Sequence, residues 1–182
     1  GDSAFLLCRN LNGINIPNSV TSIGAGAFMW NSSLTSIVIP DGVTVIEDCT
    51  FALCESLSKI TVPDSITYVG WDAFESCGSF LENFEYNTYD NALYLGNDSN
   101  PYVILISGTS ENITSCTVHP NTKIIYEDAF RFNSNLTSVT IPNGVIQIGS
   151  CSFCGTGLKS VEIPASATAM ETAFYGCENL TE

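Results

Sequence analysis

Positive charge is what this sequence has least of. Five lysines and arginines stand against 19 acids, for a net charge of −14 over 182 residues. A nucleic-acid surface needs clustered basic side chains, and an anionic membrane surface needs the same, so both are excluded as partners. Charge of either sign is scarce, at 13% of residues, and the exposed surface must therefore be built mostly from Ser, Thr and Asn. No run of 18 apolar residues occurs, which leaves no candidate for a membrane-spanning helix. Gly-rich phosphate loops, Walker patterns and zinc-type Cys spacings are missing as well.

Histidine is nearly absent too: His119 stands alone. With Cys116 it makes Cys-x-x-His, but Cys116 falls at the inward position of its strand. A cysteine nucleophile needs an exposed thiolate and a positioned base, so a core cysteine beside an exposed histidine is the better reading. The acid pairs Glu47/Asp48, Glu127/Asp128 and Asp90/Asp98 fall in turns and read as solvating groups. Asn97-Asp98-Ser99-Asn100 looks like the start of a calcium loop but lacks its terminal Glu. Cys151-x-x-Cys154 has no second pair in register. The chain is expected to be non-enzymatic, with no cofactor and no metal.

What the sequence does contain is one motif, over and over. Its clearest copy runs from Leu34 to Ser56, LTSIVIPDGVTVIEDCTFALCES, and the next starts at Leu57. Further copies start at Leu11, Leu81, Ile113, Leu136, Leu158 and Leu180, spaced 22–24 residues apart except for one interval of 32. A fixed period in the twenties implies a solenoid. Each copy opens with an L-x-x-I-x-I run whose last two apolar residues alternate at period two, as in a strand with one buried face. A proline closes the strand (Pro17, Pro40, Pro63, Pro120, Pro142, Pro164), because it cannot donate to a ladder. A second apolar pair follows at i, i+3, as in Val43/Ile46 and Val145/Ile148. Then comes a small residue and Phe (Ala27-Phe28, Thr50-Phe51, Ala73-Phe74, Ala129-Phe130, Ser152-Phe153). One copy buries about six apolar side chains at roughly 1.5–3 kcal/mol each. Ordering its backbone costs about 1–2 kcal/mol per residue, so a lone copy does not fold and stacked copies do. Ile37, Ile60, Val139 and Val161, at one place in the repeat, are expected to face inward in one parallel sheet.

The pattern L-x-x-I-x-I-P…V-x-x-I-G-x-x-A-F-x-x-C-x-x-L resembles the BspA-like leucine-rich repeats over essentially all 182 residues. It departs from them at Glu47, where Gly is usual, at the Thr50 and Ser152 corners, and at Cys154-Gly155. The resemblance implies a right-handed coil with a parallel β-sheet on one face, short strands and turns on the other, and one β-hairpin insertion. It also implies an extracellular or cell-surface location and adhesion to host matrix or other cells through a protein or glycan ligand. The alternative is a structural stalk that presents a neighbouring domain. Both ends fall within a copy and carry no polar cap, so a single solenoid over 1–182, part of a longer repeat protein, is expected.

Cys8, Cys54, Cys77 and Cys177 each stand three residues after a corner Phe, where Asn31 and Asn133 stand in other copies. Buried cysteine behaves as a small hydrophobe, so these four are expected to be reduced and packed. Cys49/Cys54 and Cys151/Cys154 are the nearest candidates for a disulfide.

The long interval holds the insertion, at about 87–112. Ala92–Leu95 and Tyr102–Ile106 are expected to pair as a hairpin around the turn-rich stretch 96–101, with Phe84 and Tyr86 in the core register just before it. Phe80–Tyr102 contains six of the chain's nineteen aromatic residues. Loops on a rigid scaffold carry binding residues, and tyrosine offers area with a polar handle. Phe80, Tyr89, Tyr94 and Tyr102 are therefore the candidate partner-binding residues, and the competing reading is that they plug the gap left by a missing Ala-Phe corner. A secondary candidate is the outward sheet face, with Val38, Lys59, Thr61, Thr140 and Glu162. It lacks the Trp, Tyr and Arg of a hot spot and reads better as solvated sheet.

Overall fold

The computed structural model describes residues 1–77, 84–169 and 172–181. The architecture is a β-solenoid, with no helix among the described residues. The chain divides into two compact units, Gly1–Glu85 and Tyr86–Glu182.

In the first unit, β1 (Ser36–Val38) pairs in parallel with β3 (Lys59–Thr61), with Ile37 opposite Ile60. Both isoleucines are buried while their outward neighbours Ser36, Val38 and Lys59 are exposed, the period-two pattern the repeat requires. After the proline, β2 (Val45–Ile46) pairs in parallel with β4 (Tyr68–Val69), and Ile23 bridges to Ile46. The third side of each coil is the Phe corner. Phe28 N donates to Thr50 O at 2.9 Å and Phe51 N to Ala73 O at 2.9 Å. The rings of Phe5, Phe28, Phe51 and Phe74 form one offset column, with centroids 5.2, 5.6 and 6.0 Å apart, a favoured arrangement for aromatic pairs.

The second unit carries β5 (Asn87–Tyr89), β6 (Ala92–Leu95), β7 (Ile104–Gly108), β8 (Ser115–Thr117), β9 (Ile124–Ile125), β10 (Ser138–Thr140), β11 (Gln147–Ile148) and β12 (Thr168–Ala169). Strands β8 and β10 pair in parallel, with Val139 opposite Cys116. Val161 does not join them: it is half-buried and outside any strand. Ile37 and Ile60 face inward in one two-stranded sheet and Val139 in another, so the single parallel sheet expected for the four is not formed among the described residues. A six-stranded sheet runs in the order β12-β11-β9-β7-β6-β5, parallel from β12 to β7 and antiparallel from β7 to β5. Its core gathers Tyr94, Leu105, Phe130, Leu136, Ile148, Phe153 and Leu158. The rings of Phe130, Phe153 and Phe174 stack at 5.4 and 5.2 Å.

The insertion departs from the expected hairpin in three ways. It is a three-stranded meander, because β5 pairs with β6 through a two-residue turn. That turn is Asp90-Asn91, both with positive φ (34° and 63°), as tight hairpins need. Second, β7 continues into the parallel ladder beside β9, so the insertion is part of the scaffold. Third, Phe84 and Tyr86 are only half-buried, and the strand that forms starts after them. The 96–101 turn closes on itself: Asn97 Oδ1 accepts from Ser99 N and Asn100 N, both at 2.9 Å. The missing corner is filled by Gly108. Its N–H donates to Ala129 O at 3.0 Å, the bond that Phe makes elsewhere. A Cβ there would meet the Phe130 ring at 3.2 Å, so a side chain would crowd that corner.

Each corner places positive φ two residues after the Phe position, at Leu7, Trp30, Leu53, Ser76, Phe132, Gly155 and Gly176. The corner geometry imposes this, and it costs a non-glycine residue about 1–2 kcal/mol.

The cysteines divide. Cys54 and Cys77 are fully buried thiols, but they are more than small hydrophobes. Cys54 Sγ donates to Phe28 O at 3.1 Å and Cys77 Sγ to Phe51 O at 2.9 Å, each to the Phe of the preceding coil. Asn31 Nδ2 makes the same bond to Phe5 O at 2.8 Å. Cys and Asn alternate at this place because it requires a donor. Cys8 is exposed and Cys177 half-buried, contrary to the expected burial, although Cys177 Sγ still reaches Phe153 O at 3.0 Å. Cys151 and Cys154 form a disulfide, with Cα atoms 4.6 Å apart, while the Cys49/Cys54 pair does not.

Candidate functional site

The meander brings two of the candidate tyrosines to an accessible cluster and withdraws a third. Tyr89 ends β5 just before the Asp90-Asn91 turn and is 38% exposed. Tyr102 lies at the approach to β7, half-buried, with its N–H donated to Asn100 Oδ1 at 3.3 Å. Tyr94 sits in β6 facing the core and has no accessible surface. It is a plug, not a contact residue, because the period-two alternation of β6 turns its ring toward Leu105 and Val118 in the core cluster. Burial pushes its phenol well above the usual range. Phe80 lies outside the described residues.

His119 completes the cluster, and sequence reasoning had set it aside as an exposed strand end. Its ring stacks on Tyr102 at 3.9 Å and meets Tyr89 edge-on at 4.8 Å. Tyr102 is in turn edge-on to both Tyr89 (5.9 Å) and Tyr94 (5.4 Å). The His119 main-chain N donates to Tyr94 Oη at 3.3 Å, and His119 Nδ1 accepts from Asn121 N at 3.1 Å. A ring nitrogen that accepts a backbone N–H keeps its lone pair, which puts the proton of the neutral ring on Nε2. Partial burial lowers the His119 pKa further. At neutral pH this is a flat neutral donor stacked among phenols. Cys116 is not its partner: that thiol is buried, pushed up to about 12 by desolvation, and donates to Asp90 O at 3.3 Å. The arrangement supplies apolar faces with polar edges, suited to binding rather than to proton transfer.

The Asp90-Asn91 turn fixes the cluster to the scaffold. Asp90 Oδ2 accepts from Thr117 N at 2.6 Å, and Asn91 Nδ2 donates to Ser115 O at 3.0 Å. These side chains cover the free edge of β8. Tyr-Asp-Asn-Ala could have been read as a tight turn from its two residues tolerant of positive φ. No sequence signal pointed to His119.

The secondary candidates are dispersed over several short segments. In the first unit Val38, 61% exposed, faces outward opposite Thr61, and Lys59 pairs with Glu85 at 2.7 Å on the same face. In the second unit Thr140 is exposed at the end of β10, and Glu162 is exposed in an irregular stretch. None of these positions brings an aromatic ring with it.

A family model described as a BspA type leucine rich repeat region matches residues 1–97 and 107–182, in six copies. Among solved structures, a leucine-rich repeat protein from Bacteroides ovatus ATCC 8483 is 26% identical, with a TM-score of 0.52, covering 99% of this chain and 56% of that one. A leucine rich cell surface protein from Faecalibacterium prausnitzii A2-165 is 24% identical, with a TM-score of 0.43, covering 99% of this chain and 61% of that one. The chain thus spans just over half the length of these proteins. Among curated proteins no relative matches the sequence.

Proposed function

Because the chain belongs to the BspA-type leucine-rich-repeat family, we propose that it is a non-enzymatic binding module displayed outside the cell. It adheres to a protein or glycan ligand on host matrix or on other cells, through the ring cluster of its insertion. The observation that carries this reading is the joining of Tyr89, Tyr102 and His119 into one accessible stacked group on a scaffolded meander. A stalk that only spaces its neighbours needs no such group.

The test measures adhesion of the labelled chain to decellularised matrix and to epithelial cells. Tyr89→Ala combined with His119→Ala should weaken adhesion by about 2 kcal/mol, the size of a hot-spot loss, with the melting temperature nearly unchanged. Wild-type chain that adheres to neither surface, or a double variant that adheres as well as wild type, overturns the proposal.

A further inference from the structure

A second surface, independent of the insertion, lies on the Phe corners of the second unit. Phe132 occupies the position of imposed positive φ (59°) and is 70% exposed. Glycine is the residue that this conformation favours, and the two following coils have it, as Gly155 and Gly176 (φ 66° and 72°). A large exposed aromatic side chain there serves neither the backbone nor the core.

Its surroundings are built around the ring. Arg131 Cζ lies 4.8 Å from the ring centroid, and Arg131 Nη1 pairs with Asp128 Oδ2 at 3.1 Å. Gly155 leaves the ring its seat, since a Cβ there would lie 3.1 Å from Phe132 Cδ1. Phe132 N donates to Cys154 O at 2.7 Å and Gly155 N to Tyr175 O at 2.9 Å. Tyr175, 76% exposed, therefore stands two coils from Phe132, about 10 Å at one strand spacing per coil. Gly155 lies in the coil between these two exposed aromatic residues, and Gly176 follows Tyr175 in the next.

We propose that this corner face binds a neutral oligosaccharide, with a pyranose ring laid against Phe132 and the chain continuing over Gly155 toward Tyr175. The C–H face of a pyranose is apolar and stacks on an aromatic ring, while its rim of hydroxyls needs donors and acceptors together. Arg131 donates, Asp128 accepts, and charge-assisted bonds of this kind are the strong ones. The pair is internally neutral, and a chain of net charge −14 repels polyanionic glycans. A protein partner fits less well: two aromatic side chains offer at most about 500 Å², below the roughly 800 Å² per partner of a stable protein interface.

The experiment is affinity electrophoresis of the whole chain through gels containing yeast mannan, laminarin or glycol chitin, with heparin as the polyanionic control. At least one neutral polysaccharide should retard the wild type, and heparin should not. Phe132→Gly should weaken that retardation tenfold or more at an unchanged or higher melting temperature, and Phe132→Tyr should retain it. If Phe132→Gly does not fold by circular dichroism, Tyr175→Ala is read in its place and should show the same loss. Trp71→Ala, which removes a comparably exposed aromatic side chain of the first unit (68%), should leave the retardation intact, which separates this surface from general retention by exposed rings. Wild type unretarded by all three neutral gels, retardation by heparin alone, or retention of binding in Phe132→Gly would each overturn the proposal.

Discussion

At the residue scale, the corner thiols are the instructive case. A cysteine three residues after Phe looked like filling, and its exchange with asparagine looked like tolerance. The bonds to Phe28 O and Phe51 O show a donor requirement that a periodic pattern of letters cannot reveal, because Cys and Asn share no bulk or polarity class. The exchange is not free, since Asn31 Oδ1 is buried without a partner, which a thiol avoids; an orphaned buried acceptor costs about 1–3 kcal/mol. Burial lifts the Cys54 thiol from 9.0 to about 11. The folded state therefore holds its proton at a pH where the unfolded chain has released it. By linkage, stability is full below about pH 9 and falls as pH rises through 11. Urea unfolding at pH 8 and pH 10.5 should show this loss, on the order of 1–2 kcal/mol for this thiol, and Cys54→Ala should flatten the slope while lowering stability at pH 8. An equal slope in the variant would mean that other groups set the alkaline limb.

At the element scale, the strands of the regular copies could be read directly, because each has one inward apolar residue flanked by outward ones and a proline at its end. The insertion could be read only in part. Its β6 is where the turn-rich stretch 96–101 placed it, but β5 is Asn87-Thr88-Tyr89, exposed throughout, and carries no apolar period to detect. What makes it a strand is the Asp90-Asn91 turn and the docking of that turn on β8. The register of the repeat put Phe84 and Tyr86 in the core; the meander instead starts beyond them and leaves both half-buried. Of the candidate site, Tyr89 and Tyr102 were legible from aromatic density, whereas the burial of Tyr94 and the presence of His119 follow from pairing that sequence spacing does not encode. Asp90→Ala should remove the acceptor of Thr117 N and lower stability by about 1–2 kcal/mol. Asn91→Gly, which suits the turn, should not. Equal melting temperatures for wild type and Asp90→Ala would show that the edge of β8 needs no cover.

At the scale of the whole molecule, the regular coils have no long element. Strands are two or three residues long apart from those of the meander, and within each unit coils are joined by short ladder pairs, corner main-chain bonds and, at several corners, a side-chain donor. Such a chain answers a pull very differently from a sheet sheared along its length. Tension applied between its ends loads one coil at a time, so the bonds break in sequence and not together. Single-molecule stretching should show low, evenly spaced rupture peaks, each releasing about 23 residues, or roughly 75–80 Å of contour. One longer step should come from the 32-residue interval, where the meander must come apart. A single high peak releasing the full contour would show that the coils share load in parallel. For the adhesion proposed above, sequential release means yielding in increments and re-forming when the load drops: a shock absorber built from short strands.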